Sequence, residues 1–142
     1  MHPNEISHDI ISAAMKVHSV LGPGLLESVY EACLAYELGK MGHKVEQQVE
    51  LPVIYEGVKI DAGYRLDLLV DDSVVVELKV TETILPVHEA QLLSYLKLSG
   101  KKLGLLVNFK LVHLRDGIRR LVNQLESSSA SLASSAVKRL CN

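Results

Sequence analysis

Residues 65–79 constrain this chain more than any other stretch: Arg-Leu-Asp-Leu-Leu-Val, then Asp-Asp-Ser, then Val-Val-Val-Glu-Leu-Lys. Two β-rich runs joined by turn formers predict an antiparallel hairpin. If Val70 pairs with Val74, paired numbers sum to a constant, so Asp67 faces Glu77, Leu69 faces Val75 and Arg65 faces Lys79. Alternation then gathers Leu66, Leu68, Val70, Val74, Val76 and Leu78 on one apolar face that belongs in a core. The other face carries two carboxylates and two cations. Directly opposed residues have Cβ atoms about 4.5–5.5 Å apart, and like charges there destabilise a sheet. Two explanations fit. Arg65 and Lys79 could satisfy the acids by diagonal ion pairs on a solvated face, or a bound divalent cation could do so, hard oxygen ligands suiting Mg²⁺ or Mn²⁺. A two-residue turn would instead put Asp67 and Glu77 on opposite faces.

The flanking sequence predicts helices and strands in a definite order. Asn4 is placed to cap a helix carrying Ile6, Ile10, Ala14, Val17 and Leu21, which Gly22-Pro23-Gly24 stops. A second helix is expected from about Leu25 to Met41, burying Leu26, Val29, Cys33, Ala35 and Leu38, with Gly42 as its stop. Strands are expected over Val45 to Ile54 and Val58 to Tyr64, around a Tyr55-Glu56-Gly57 connection. After the carboxylate hairpin, Pro86 opens a helix to about Ser99, and Gly100-Lys101-Lys102 ends it. Leu103 to Phe109 reads as a buried strand, and Gly117 to Leu125 as a last helix. The Ser/Ala-rich segment 127–142 is expected to be a tail to a single domain over 1–126. The order implies an α/β sandwich with a mixed sheet.

Composition narrows the class. A chain of 142 residues with 48% hydrophobic content can bury one core, built from Leu, Val, Ile and Ala because it has no Trp and one Phe. No apolar run approaches the roughly 20 residues of a membrane span. The N-terminus lacks the features of a secretory signal, so a cytoplasmic setting without membrane contact is expected. Cys33 and Cys141 form neither a disulfide framework nor a zinc motif. A net charge of −2 argues against binding by non-specific phosphate attraction, but not against a local nucleic-acid site neutralised by a divalent ion. His18, His43 and His113 are read as surface or capping residues, and Lys101, Lys102, Arg115, Arg119 and Arg120 as solvated charge.

Two helices carry polar groups that could meet the hairpin. His88, Gln91 and Tyr95 fall within an arc of about 60° at ~100° per residue. Glu27 and Glu31 share a face of the second helix, with Tyr30 nearby.

Asp67, Glu77-Leu78-Lys79 resembles the D-x(n)-[D/E]-x-K signature of the PD-(D/E)XK nuclease superfamily, although Leu66 stands where the name has proline. Gln91-Leu-Leu-Ser-Tyr95 resembles the QxxxY motif of RecB-type members, and Gly24-Leu-Leu-Glu27-Ser-Val-Tyr30 that of the GxxExxY proteins, as do VHEAQLLSYL and GLLVNF. The resemblance spans about residues 5 to 124. It implies a restriction-endonuclease-like three-layer core, a mixed sheet flanked by helices. It also implies a nuclease hydrolysing phosphodiester bonds in DNA or RNA with Mg²⁺ or Mn²⁺. Glu27, Asp67, Glu77 and the Leu78 carbonyl would hold the metal. Lys79 would stabilise phosphate charge and orient the attacking water, and Gln91 and Tyr95 would position that water or a substrate phosphate. Two rivals remain: an inactive nuclease-like module that binds nucleic acid or a protein, and an assembly protein whose apolar elements meet a second copy as a homodimer.

Overall fold

The computed structural model describes residues 1–124; the proposed tail falls outside the described residues. Its elements are α1 (Pro3–Leu21), α2 (Glu27–Lys40), β1 (Val45–Glu50), β2 (Val53–Tyr55), β3 (Val58–Ile60), β4 (Arg65–Val70), β5 (Val74–Lys79), α3 (Pro86–Ser99), β6 (Leu103–Asn108), a 3₁₀ turn (Leu114–Gly117) and β7 (Ile118–Val122). Five strands form one sheet in the order β1-β4-β5-β6-β7, while β2 and β3 pair separately. The β5–β6 pair is parallel and the other neighbours are antiparallel. A parallel neighbour needs a crossover, and α3 supplies it.

The sheet is covered on both faces, giving the three-layer α/β core. On one side Leu68, Val70, Val74, Val76, Leu78, Leu105 and Val107 pack with the apolar sides of α1 and α2. On the other, Leu69, Val75 and Leu106 meet Leu92, Tyr95 and Leu96 of α3. This explains why β5 and β6 are apolar almost throughout. Gly104 leaves room for α3: a Cβ there would lie 3.1–3.3 Å from Leu92 and Leu96 side chains.

The expected hairpin register is present, with Val70 opposite Val74, Leu69 opposite Val75 and Leu68 opposite Val76. Asp71 and Asp72 take positive φ values of 52° and 53° in the turn, a conformation short polar side chains tolerate. Leu66 departs from the expected face. It packs with Leu69 and Val75, not with Leu68. On the neighbouring strand Gln48 has φ 51°, and Val45 and Val49 fall on opposite sides in the same way. A left-handed residue interrupts the two-residue alternation there, and the chain turns over at Gln48 and Asp67.

Other boundaries were also revised. His2, not Asn4, caps α1, its Nδ1 accepting from the Asn4 N–H at 3.0 Å. The buried stripe of α2 is Tyr30, Leu34 and Leu38, whereas Leu26 is 74% and Val29 36% exposed. The continuous strand expected over 45–54 breaks at Leu51-Pro52, because proline has no N–H to continue a ladder. The expected connection is a tight β2–β3 turn, with Glu56 and Gly57 both at positive φ as hairpin twist favours. The helix expected from Gly117 is absent: Gly117 ends the 3₁₀ turn and residues 118–122 are strand β7. The edge of β6 needs hydrogen-bond partners, and Ile118 and Val122 face one core while Leu121 faces the other.

Candidate functional site

The β4–β5 ladder stops where the acids begin. Beyond the Leu68–Val76 pair, the Asp67 N–H donates to Glu77 Oε1 at 3.1 Å, and the Leu78 N–H donates to Asp67 Oδ2 at 2.8 Å. Each carboxylate takes the place of a ladder carbonyl, so the two acids are locked together where the strands part. Glu77 is only 7% exposed. Burial, then the charge of Asp67, pushes its carboxyl up to about 8.

The diagonal ion pairs did not form. Among the described residues neither Arg65 nor Lys79 pairs with an acid; Arg65 instead donates to the Tyr64 carbonyl at 2.9 Å. Lys79 is half-buried and acts on Glu77 and Glu27 only through its field. The acid pair thus has no direct cationic partner from the chain.

A turn built by Tyr30 positions Glu27. Tyr30 is fully buried, stacked on Phe109 with centroids 4.5 Å apart, and its hydroxyl donates to the Gly22 carbonyl while accepting from the Leu25 N–H. These bonds fix the chain from 22 to 25, immediately before Glu27 begins α2. Burial, then the charge of Asp67, raises the Glu27 pKa. Glu31 accepts from Gln47 and Gln48, and Gln48 also donates to Asp67 Oδ1 at 3.3 Å. Phe109 in turn donates its N–H to the Lys79 carbonyl, and the buried Asn108 side chain bonds both backbone groups of Thr81. These contacts hold the end of β5.

From α3, Gln91 donates to the Tyr95 hydroxyl at 2.9 Å. Burial, then the charge of Glu77, raises the Tyr95 pKa. His88 does not join them: its Nδ1 accepts from the Leu85 N–H and caps the helix. Lys101, Arg119 and Arg120 do not converge on the site either; they bond Asp72, the Asp116 and Ile118 carbonyls, and Asn4.

The donors suit a hard divalent cation: carboxylate oxygens, one acid deeply buried and destabilised by the other, and no ion-paired lysine or arginine. Among the described residues no three His, Cys, Asp or Glu side chains already form a cage; hydrogen bonds bring Asp67 and Glu77 together, and Glu27 does not join them. Leu78 contributes its N–H to Asp67.

Sequence reasoning missed two features. His43 is buried, with Nδ1 2.5 Å from Asp71 Oδ2 and Nε2 2.8 Å from Asp9 Oδ2. Its partners lie 28 and 34 positions away, beyond any local pattern. Tyr64, at the entrance to β4, lies with its ring centroid 5.5 Å from that of Tyr95. Its aromatic type was the one available signal.

A three-layer fold with paired acids at the parting of two central strands, and a lysine two residues beyond the second, is that of a restriction-endonuclease-like, nuclease-like module. A family model of the PD-(D/E)XK nuclease superfamily matches residues 4–121, and the chain belongs to that superfamily. Neither a curated protein nor a solved structure matches it. Among the described residues no helix is long and apolar enough to cross a membrane.

Proposed function

We propose that this chain is a metal-dependent nuclease that hydrolyses phosphodiester bonds, and that it falls in the GxxExxY group on Gly24, Glu27 and Tyr30. The observation carrying the reading is the buried Glu77, bonded to Asp67 and without an ion-paired cation. Asp67 and Glu77 would hold Mg²⁺ or Mn²⁺, with Glu27 and the Leu78 carbonyl as further ligands. Such an ion would supply charge neutralisation at the phosphate and favour ionisation of water. Lys79, two residues beyond Glu77, stabilises negative charge on the phosphoryl oxygens rather than acting as a base. Gln91 holds the Tyr95 hydroxyl, and the two orient water or a phosphate oxygen. These residues all come from one chain, so the reading calls on no second copy. A cytoplasmic setting agrees with a chain containing only two cysteines.

Asp67→Ala, Glu77→Ala and Lys79→Ala are each expected to abolish Mg²⁺-dependent cleavage while the domain stays folded. Single- and double-stranded DNA and RNA, incubated with and without Mg²⁺ or Mn²⁺, provide the assay. Full activity in Glu77→Ala would sink the assignment. Metal-independent binding without turnover in the wild type would select the inactive module instead.

A further inference from the structure

Tyr64 carries a property that the proposed hydrolytic groups do not require. Its backbone is held: the carbonyl accepts from the Leu51 N–H at 2.9 Å and from Arg65 Nη1 at 2.9 Å. The preceding Gly63 sits at φ 78°, its N–H bonded to Asp61 Oδ1. Yet the residue is 41% exposed. One side of the ring leans on Tyr95 at an interplanar angle of 51°, and Tyr95 is itself buried and bonded to Gln91. The result is an anchored, partly open aromatic surface at the start of β4, three residues before Asp67.

Charge makes such a surface useful. At a net charge of −2 the chain gains little from general phosphate attraction, so a strand must be held by something besides its backbone. Stacking on an aromatic ring supplies roughly 1–3 kcal/mol per base and tolerates any sequence. Within a duplex both faces of each base are already covered by its neighbours. Only an unpaired base presents a face to a tyrosine.

We infer that Tyr64 is a stacking platform for an unpaired nucleobase next to the cleaved phosphate, so that the substrate is single-stranded nucleic acid or a single-stranded end. Arg65, exposed and without an ion pair among the described residues, lies alongside to meet the adjoining phosphate. This rests on the nuclease reading for the position of the phosphate, but the stacking itself is measurable without turnover.

The chain contains no Trp, so Tyr64→Trp introduces a single indole whose emission a stacked base quenches. Titration of the full chain in EDTA with a ten-nucleotide single strand, as DNA and as RNA, and with the matched duplex, reads stacking directly. Strong quenching by either single strand and weak quenching by the duplex is expected. In parallel, Tyr64→Ala is expected to weaken single-strand binding roughly tenfold by anisotropy, whereas Tyr64→Phe keeps it. Tyr36→Ala, which removes an exposed tyrosine whose ring carries Lys40, leaves it unchanged. Equal quenching by the duplex, no quenching by either strand, or wild-type affinity in Tyr64→Ala overturns the inference. Cleavage surviving in Glu77→Ala would overturn the nuclease reading and leave the stacking result standing, which separates the two failures.

Discussion

Glu77→Gln is expected to stabilise the metal-free protein, and to do so more strongly as pH rises. Glu77 is buried beside Asp67, and its carboxyl is raised from 4.5 to about 8. The folded state therefore holds a proton that the unfolded chain would release. The contribution of this group is intact below about pH 4.5 and is lost as pH rises through about 8, the reverse of an ordinary ion-paired acid. Each pH unit in that window costs about 1.4 kcal/mol, so at pH 7 the penalty is on the order of 3 kcal/mol. Glutamine keeps the shape of the protonated acid and cannot ionise, and it escapes this cost. Urea unfolding of both proteins in EDTA, from pH 5 to 8.5, measures the difference. The two stabilities are expected to lie close together at pH 5 and to diverge by a few kcal/mol above pH 7. Added Mg²⁺ is expected to raise wild-type stability and to leave Glu77→Gln nearly unmoved. Parallel pH profiles for the two proteins would refute the electrostatic account of the site.

Two further perturbations test the scaffold. In His43 burial opposes the charge, but hydrogen bonds to Asp71 and Asp9 outweigh it and raise the pKa above 6.5. Its contribution is then full below pH 6.5 and fades as pH rises through the raised value. The stability gap between wild type and His43→Gln, measured by thermal melts, is expected to be wider at pH 6 than at pH 9. Gly117→Ala and Gly104→Ala separate backbone from side-chain crowding. A Cβ at 117 would lie 2.7 Å from the Asn108 carbonyl, which cannot yield, whereas at 104 it meets only the ends of leucine side chains at 3.1 Å or more. Denaturant midpoints are expected to show a loss of about 1–3 kcal/mol for Gly117→Ala, and a smaller one for Gly104→Ala.

The legible parts of this chain are those decided locally. The hairpin register follows from Asp71-Asp72-Ser73 and two alternating runs, and the bounds of α3 from Pro86 and Gly100. Motif and spacing alone brought Asp67, Glu77 and Lys79 forward as site candidates. The rest depended on partners remote in sequence. Residues 117–122 could satisfy either period, and the open edge of β6 decided for a strand. Leu66 obeyed strict alternation on paper, but the left-handed Gln48 on the neighbouring strand coincides with its turning over. On the second helix Leu38 is buried and Cys33 and Ala35 pack against the core as expected, but Leu26 and Val29, as apolar as Leu34, lie exposed. What Tyr30 does for the turn at Gly22 became visible only in three dimensions.

The two ends of the β4–β5 hairpin now have opposite physical characters. At the turn, both ring nitrogens of His43 face carboxylates, so both must donate, and the ring is held as a cation between α1 and the turn. Asp71 also accepts from the Lys44 N–H at 2.8 Å, tying the turn to the start of β1. At the other end the ladder stops at Leu68–Val76, and two carboxyl groups that repel once both ionise occupy the gap. A hairpin whose open end holds a repulsive pair needs its register fixed elsewhere, because a one-residue slip would send Asp67 to the opposite face. The His43 contacts supply that constraint at the turn. The repulsion is then confined to Asp67 and Glu77, where a cation can relieve it without moving the sheet.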